Sequence, residues 1–235
     1  MPFQFKEFSI QQDQVAMKVG TDGVLLGAWA SLGKKPKSIL DIGTGTGLIA
    51  LQLAQRSDAE IIDAIEIEDA AFEEAVLNFE QSSWGDRLYC YHASLAEFVE
   101  EIEDKYDLII SNPPFYTEQY KSESVKRNQA RFTDALPFEE LISSVVALLS
   151  ENGSFHVIIP FTEEENFVLL ASKYNLFVNQ RCRVRGNLTS SFKRSMLEFS
   201  FQKTEIEETA ITIEIKRHEY TKEYMQLVKD FYLKM

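Results

Sequence analysis

Residues Ser38–Ala54 read SILDIGTGTGLIALQLA. Ser38–Ile42 has the apolar character of a short buried strand, and Leu48–Ala54 has the character of a helix. The glycine-rich turn between them lets the backbone approach a ligand closely, and it places the N-terminus of the helix under that ligand. The stretch therefore predicts a strand–loop–helix unit that binds a nucleotide-like group. Its candidate contacts are Asp41, Gly43, Gly45 and Gly47.

A carboxylate follows this unit at a spacing typical of nucleotide-binding folds. Glu66 ends the apolar run Ile61–Glu66, nineteen residues after Gly47, and is placed to accept hydrogen bonds from ribose hydroxyls. The dinucleotide fingerprint G-x-G-x-x-G/A is not matched, because the third glycine comes one residue early and Leu48 takes the last position. G-x-G-x-G after Leu-Asp-Ile is instead the pattern of S-adenosylmethionine-dependent methyltransferases. S-adenosylmethionine is therefore the predicted cofactor.

A second motif lies in residues 106–115, which read YDLIISNPPF. Each proline lacks an N–H and fixes its own φ, and the residue before a proline is held extended. A buried strand is therefore predicted to end at Ser111, leaving the Asn112 amide and the Pro113 carbonyl as neighbouring acceptors ahead of an aromatic ring. Taken alone, the motif is more often a rigid surface turn. The motif comes after the glycine loop and Glu66 along the chain, and the three features in this order favour methyl transfer to a planar amino group. The catalytic candidates are Asn112, Pro113, Pro114 and Phe115.

Strand and helix patterns alternate along the chain. This alternation predicts an α/β fold, a doubly wound, mostly parallel sheet with helices on both faces. Two late strands are predicted to close one edge as an antiparallel pair, and the chain is predicted to be one domain, 1–235, with a strand–helix extension over 205–235. Ligands of such a sheet bind at the carboxyl ends of its strands, so the candidate residues share one edge. The predicted strands are near 38–42, 60–66, 87–91, 106–111, 153–159, 176–184 and 195–202, and the predicted helices near 47–56, 69–81, 95–102, 137–150 and 162–174.

Composition narrows the class of protein. The 235 residues are 45% hydrophobic, enough for a full core, and no stretch is long and apolar enough to span a bilayer. The first residues show no signal-peptide segment, and the two cysteines and three histidines lack metal-ligand spacing. We therefore predict a cytoplasmic, metal-free monomer without a membrane partner, with inert thiols at Cys90 and Cys182.

The net charge of −13 argues against a nucleic-acid partner, but the charge is unevenly distributed. Residues 58–107 contain 16 acidic and 2 basic residues, which leaves a net charge of +1 for the rest of the chain. Basic residues cluster after the Asn-Pro-Pro motif and between positions 181 and 194, where no acidic residue occurs. Each cluster taken alone is equally compatible with a solvated surface. The candidate phosphate contacts are Lys126, Arg127, Arg131, Arg181, Arg183, Arg185, Lys193 and Arg194.

Five blocks of sequence carry a more specific resemblance. They are Ala16–Trp29, Leu40–Gly45, Ile109–Phe115, Gln129–Thr133 and Phe231–Leu233. Together they resemble the bacterial tRNA(Val)-specific adenine-N6-methyltransferases, class I enzymes that methylate the adenine just 3′ of the anticodon. The resemblance implies a Rossmann-like, seven-stranded sheet with an antiparallel last strand, S-adenosylmethionine as cofactor, and the anticodon stem-loop of tRNA as partner.

The resemblance also assigns residues to the cofactor. It places Lys18, Thr21 and Asp22 beside the cofactor, in a segment, residues 1–36, that folds over its methionine end, and it adds Asn112 to the cofactor contacts. A simpler interpretation is that Asp22 caps the helix that follows it. Ser94 stands where the family often has an aspartate that accepts from the cofactor adenine, and Phe115 stands where tyrosine is common.

The motifs lead to a mechanistic hypothesis. The amino nitrogen of adenine is a poor nucleophile because its lone pair is delocalised into the ring. Asn112 Oδ1 and the Pro113 carbonyl would accept its two hydrogens and aim the lone pair at the methyl sulfonium, while Phe115 stacks on the unstacked base. The same chemistry suits a glutamine of a release factor, a base of rRNA or DNA adenine. Two other classes are a nucleotide-binding oxidoreductase, which Leu48 disfavours, and a cofactor-binding module without turnover, which the intact Asn-Pro-Pro-Phe motif disfavours.

Overall fold

The computed structural model describes residues 2–15, 18–114 and 136–235. The strands in these residues are β1 (Phe3–Gln4), β2 (Ser9–Ile10), β3 (Ser38–Ile42), β4 (Ile61–Glu66), β5 (Leu88–His92), β6 (Tyr106–Ser111), β7 (Leu149–Pro160), β8 (Phe177–Arg185), β9 (Arg194–Ser200), β10 (Glu207–Thr212), β11 (Glu214–Lys216) and β12 (Glu219–Tyr220). The helices are α1 (Thr21–Trp29), α2 (Leu48–Arg56), α3 (Asp69–Glu80), α4 (Leu95–Glu101), α5 (Phe138–Leu148), α6 (Glu164–Lys173) and α7 (Lys222–Val228), with a 3₁₀ turn at Phe161–Glu163.

The central sheet has the strand order β10-β8-β9-β7-β6-β3-β4-β5. From β5 to β7 neighbouring strands are parallel, whereas β9 runs antiparallel to both β7 and β8. The predicted doubly wound, mostly parallel sheet and its antiparallel pair are therefore confirmed. The carboxyl ends of β3, β4, β5 and β6 lie at one edge, where the candidate residues were expected.

The number of strands differs from the expectation. The sheet has eight strands rather than seven, because β10 adds to the outer edge of β8 in parallel, with Ala210 opposite Arg183. The strict alternation of apolar and polar residues over Ile211–Ile215 predicts a strand in the C-terminal extension, but β10 ends at Thr212 and β11 pairs separately with β12. The reason is that Glu207–Ala210 are exposed, so the first part of β10 gives no apolar pattern to recognise.

Helices cover both faces of the sheet. On one face α1, α2 and α7 contribute residues such as Leu26, Leu51 and Val228 to a core that includes Ile39 of β3. On the other face α4, α5 and α6 pack around Leu40, the next residue of the same strand. Successive strand residues point to opposite faces, so a fully apolar strand such as β3 requires two covered faces.

The two ends of the chain pack together. Phe5 bridges to Tyr232 and stacks on Phe8 with 4.7 Å between ring centroids, and the N–H of Lys6 donates to the carbonyl of Phe231 at 2.9 Å. The N-terminal residues therefore run against the face that carries α7. Within the described parts of the chain, no helix combines the length and apolarity needed to cross a membrane.

Candidate active site

The glycine loop between β3 and α2 has a left-handed backbone at three positions. Gly43, Gly45 and Gly47 have φ of +68°, +59° and +81°. A Cβ on Gly47 would lie 2.4 Å from Cε1 of Phe79, whereas one on Gly43 or Gly45 would meet nothing within 4 Å. Gly47 is therefore required by packing, while Gly43 and Gly45 border open space that a bound ligand can approach closely.

Glu66 fixes the shape of this loop. Its Oε2 accepts from the N–H of Gly45 at 2.8 Å, and its Oε1 accepts from the N–H groups of Ile67 and Glu68 at 2.8 and 3.0 Å. The carboxylate thus ties the end of β4 to the glycine loop on β3. Its predicted contact with ribose hydroxyls remains a prediction, and the position at the strand end agrees with it.

Asp41 is fully buried beneath the loop. Its Oδ2 accepts from Thr44 Oγ1 at 2.6 Å and from the N–H of Ala50 at 3.2 Å, and its Oδ1 has no hydrogen-bond partner among the described residues. Burial raises the pKa of the Asp41 carboxyl to about 7, the charge of Glu66 adds to this, and the two hydrogen bonds oppose it.

Asp41→Asn is expected to change how stability depends on pH. The folded pKa of about 7 exceeds the ordinary value of 3.8, so the stability that this carboxyl contributes is present below pH 4 and is lost as the pH rises to 7. An asparagine cannot ionise, so the unfolding free energy of the variant should rise relative to that of the wild type by about 4 kcal/mol between pH 4 and pH 8. Urea unfolding at both pH values measures this difference, and a pH-independent difference would contradict it.

The Asn-Pro-Pro motif leaves the sheet next to the glycine loop. Ser111 Oγ donates to the carbonyl of Ile42 at 2.9 Å, which fixes the end of β6 to the end of β3. Asn112 is half-buried, and its Nδ2 lies 4.0 Å from the position of a Cβ built on Gly23 in α1. Asn112, Pro113 and Pro114 therefore start from the strand beside the one that carries the glycine loop. Phe115 lies outside the described residues.

The N-terminal segment is held by two polar residues of α3 that the sequence patterns did not single out. Asn78 donates to the carbonyls of Gln11 and Thr46 at 3.1 and 2.9 Å, and Glu74 accepts from the N–H of Gln14 at 2.8 Å. Both side chains are buried. The available signal was an acid and an amide four residues apart on the otherwise apolar face of a helix.

Asp22 makes an ion pair instead of a helix cap. The N-cap of α1 is Gly20, without a side-chain cap, and Asp22 Oδ2 accepts from Arg194 Nε at 2.7 Å. The interpretation of Asp22 as a cap is therefore wrong, because the residue lies inside the first turn. Thr21 begins the same helix and Lys18 precedes it, so the three residues assigned to the cofactor do lie together. Their contact with it stays a prediction.

Ser94 caps α4. It forms a capping box with Glu97, in which Ser94 Oγ donates to Glu97 Oε2 at 2.7 Å and accepts from the N–H of Glu97 at 3.3 Å. The hydrogen bonds from the Ser94 side chain and backbone hold the pKa of Glu97 below its ordinary value. A structural role thus accounts for Ser94, and its contact with the cofactor adenine remains a prediction.

The late basic cluster is partly neutralised by acids from other elements. Glu164 of α6 contacts Arg181 at 3.2 Å and Arg183 at 2.7 Å, and Glu208 of β10 contacts Arg181 at 3.0 Å. Burial opposes the ionisation of Glu164, but hydrogen bonds from Arg183 and Ser195 and the charge of Arg181 hold its pKa below the ordinary value. These acids lie outside positions 181–194, so the local sequence could not reveal them.

The remaining basic candidates differ in their surroundings. Lys193 is exposed, Arg185 Nε donates to Thr212 Oγ1 at 2.9 Å, and Arg194 pairs with Asp22 as described above. Lys126, Arg127 and Arg131 lie outside the described residues. Within residues 2–15, 18–114 and 136–235, no three His, Cys, Asp or Glu side chains are grouped to hold a metal ion.

The strand order, the glycine loop and the motif beside it are those of a methyltransferase, and the family model described as "Methyltransferase small domain" matches residues 24–169. Over its full length the chain is 62% identical to the tRNA1(Val) (adenine(37)-N6)-methyltransferase of Christiangramia forsetii and covers 98% of that protein. The chain therefore belongs to the tRNA1(Val) (adenine(37)-N6)-methyltransferase family.

A further relative agrees with this placement, and a solved structure shows a similar fold. The chain is 43% identical over 99% of its length to a protein of the same name from Bacteroides fragilis, of which it covers 98%. A predicted O-methyltransferase from Agrobacterium tumefaciens has a similar fold, with a TM-score of 0.68 at 16% identity, covering 89% of this chain and 96% of that one. The predicted family, the enzyme class and the use of S-adenosylmethionine are confirmed.

Proposed function

We propose that this protein transfers a methyl group from S-adenosylmethionine to the N6 amino group of adenine 37, next to the anticodon of tRNA1(Val). The observation that carries the proposal is the position of Asn112, Pro113 and Pro114 at the end of β6, directly beside the strand that carries the open glycine loop. The choice of tRNA1(Val) rests on the relatives, whose names state that substrate and which match this chain from end to end.

The cofactor would lie at the carboxyl ends of β3 and β4. The open space above Gly43 and Gly45 and the carboxylate of Glu66 suit a ligand with ribose hydroxyls. The buried Oδ1 of Asp41, which has no partner within the described part of the chain, suits a positively charged part of that ligand. When bound, S-adenosylmethionine would supply an electrophilic methyl group on a sulfonium sulfur, which would keep the electron pair of the broken carbon–sulfur bond and leave as a neutral thioether. Asp22 and the residues before it would close the methionine end, with Arg194 holding the Asp22 carboxylate in place.

The chain's own contribution to the reaction is to hold the amino group. Asn112 Oδ1 and the Pro113 carbonyl accept the two N6 hydrogens, so that the nitrogen lone pair turns out of the plane of the base. The prolines keep both acceptors fixed before the base arrives, because the ring of each proline fixes its own φ. Neither acceptor therefore has to lose backbone freedom when the base binds. Catalysis then depends on positioning and on electrostatic preorganisation. The product nitrogen releases one proton to solvent.

A methyl-transfer assay tests the proposal. Purified protein and labelled S-adenosylmethionine are incubated with tRNA from a strain lacking this activity, and the nucleosides of each tRNA species are separated. We expect N6-methyladenosine in a valine tRNA and none in the same tRNA carrying guanine at position 37. Label in a protein extract, in rRNA or in DNA, with none in tRNA, would reject the tRNA assignment and favour one of those other planar amino groups.

The proposal also includes the location and the oligomeric state of the enzyme. An enzyme that modifies tRNA works where tRNA is used, so we place it in the cytoplasm. We also propose that it acts as a monomer, since the cofactor and amino-group sites are both built from residues of one chain. Gel filtration at the concentration of the assay tests the second point, and a dimer whose dissociation abolishes activity would contradict it.

A further inference from the structure

Two phenylalanine rings lie side by side at the edge of the sheet that carries the active site. Phe161 opens the 3₁₀ turn after β7, and Phe192 lies in the loop between β8 and β9. Their ring centroids are 5.7 Å apart, and the N–H of Phe161 donates to the carbonyl of Lys193 at 3.1 Å. Both rings are half-buried, so each is held by its neighbours and still reaches solvent.

A guanidinium group lies over each ring. Arg183 is 5.6 Å from the centroid of Phe161, and Arg185 is 5.5 Å from the centroid of Phe192. Both arginines are anchored: Arg183 by a two-pronged contact with Glu164, and Arg185 by its bond to Thr212 Oγ1. The result is a rigid set of two rings and two planar cations, rather than two mobile side chains.

This set lies next to the Asn-Pro-Pro motif. Ser111 is opposite Val157 in the register of β6 and β7, so Asn112 is level with Ile158, three residues before Phe161. At the usual rise of a strand this separation is about 10 Å, comparable to one or two nucleotides of an unpaired strand. The loop between β8 and β9 reaches the same edge, because β9 runs antiparallel to β7 with Arg194 opposite Pro160.

We propose that Phe161 and Phe192 form a stacking surface for an unpaired nucleotide that flanks the target adenine, with Arg185 and Lys193 facing its phosphates. The inference rests on the proposed function and extends it to the bases next to the modified one. Single-stranded RNA is bound by partly exposed aromatic rings beside cationic groups, because every base has a flat face to stack and every linkage a negative charge.

The test separates stacking from a structural role. Phe192→Leu keeps an apolar side chain and removes the flat ring, and is expected to raise KM for an anticodon stem-loop RNA about tenfold with kcat unchanged. Phe192→Trp should keep the wild-type KM. The matched control is Phe177→Leu, because Phe177 begins β8, at the opposite end of that strand from the loop that holds Phe192, and also has a cation, Lys203 Nζ, 5.9 Å from its ring. That control should leave KM unchanged.

A second substrate identifies the contact. Stem-loop RNAs in which the nucleotide on one or the other side of adenine 37 is abasic are assayed with both enzymes. If Phe192 stacks on that nucleotide, removing the base should raise KM about tenfold for the wild type and should not raise the KM of Phe192→Leu any further. The stacking surface alone would be overturned if wild type and Phe192→Leu had equal KM values. It would also be overturned if, at both abasic positions, the increases in KM from the missing base and from the substitution simply multiplied. A wild type that methylates no stem-loop or tRNA would overturn the proposed function and, with it, this inference.

Discussion

Asn112→Ala is expected to lower kcat for methyl transfer by roughly 10²–10³-fold, the usual cost of removing one preorganised polar contact from a reacting group. The amide is the group that holds the amino nitrogen, so its loss leaves the lone pair delocalised into the base. Affinity for S-adenosylmethionine should stay within about twofold, because the glycine loop, Glu66 and Asp41 are untouched. Single-turnover rates and calorimetric titration of the cofactor measure the two quantities separately.

Two companion variants sharpen this expectation. Asn112→Asp keeps an oxygen acceptor in the same place and should retain more activity than the alanine variant. Asn179→Ala removes an amide near the start of β8, where Nδ2 donates to the carbonyl of Gln202 at 2.8 Å, and should leave kcat unchanged. An alanine variant at position 112 with full turnover, or one whose defect is only in cofactor binding, would show that Asn112 does not hold the reacting amino group.

Local patterns were sufficient for the part of the fold that carries chemistry. Strands such as Ser38–Ile42 are apolar because both of their faces are covered. A loop with left-handed φ can be recognised from sequence because it favours glycine at those positions. The same reasoning placed Glu66 and Asn112 at one edge, since Glu66 ends one parallel strand and Asn112 directly follows the end of another. β10 was not predicted as a strand of the sheet because its first four residues are exposed and form no apolar pattern. Its place in the sheet comes from pairing with β8, which cannot be deduced from a local pattern.

The parts of the site that were missed depend on contacts between distant positions. Arg194 pairs with Asp22 across 172 positions, so two residues predicted for different ligands, RNA and cofactor, in fact bond to each other. Glu164 reaches Arg183 from a helix, although positions 181–194 contain no acid. Charge counted along the chain therefore overstated how much positive charge this edge offers to phosphates.

Gly45→Ala is expected to lose mainly cofactor affinity and Gly47→Ala mainly stability, although the two glycines are separated by only one residue. A methyl group on Gly45 would project into open space, so its main effect should be to exclude the cofactor, with affinity falling up to about a hundredfold. Unfolding free energy should fall by only about 1 kcal/mol, the strain of an alanine at positive φ. Calorimetric titration of S-adenosylmethionine and urea unfolding measure the two effects.

A methyl group on Gly47 would instead collide with Phe79, at 2.4 Å from Cε1. Overpacking and backbone strain together should cost about 2–4 kcal/mol of unfolding free energy. Because the collision is with a side chain, the loss in Gly47→Ala combined with Phe79→Leu should be smaller than the two single losses added together. Gly33→Ala serves as the control, since a Cβ there meets only Ser31 Oγ at 3.6 Å, and it should leave both quantities unchanged. If Gly45→Ala bound the cofactor normally and only lost stability, the space above the loop would not be the cofactor site.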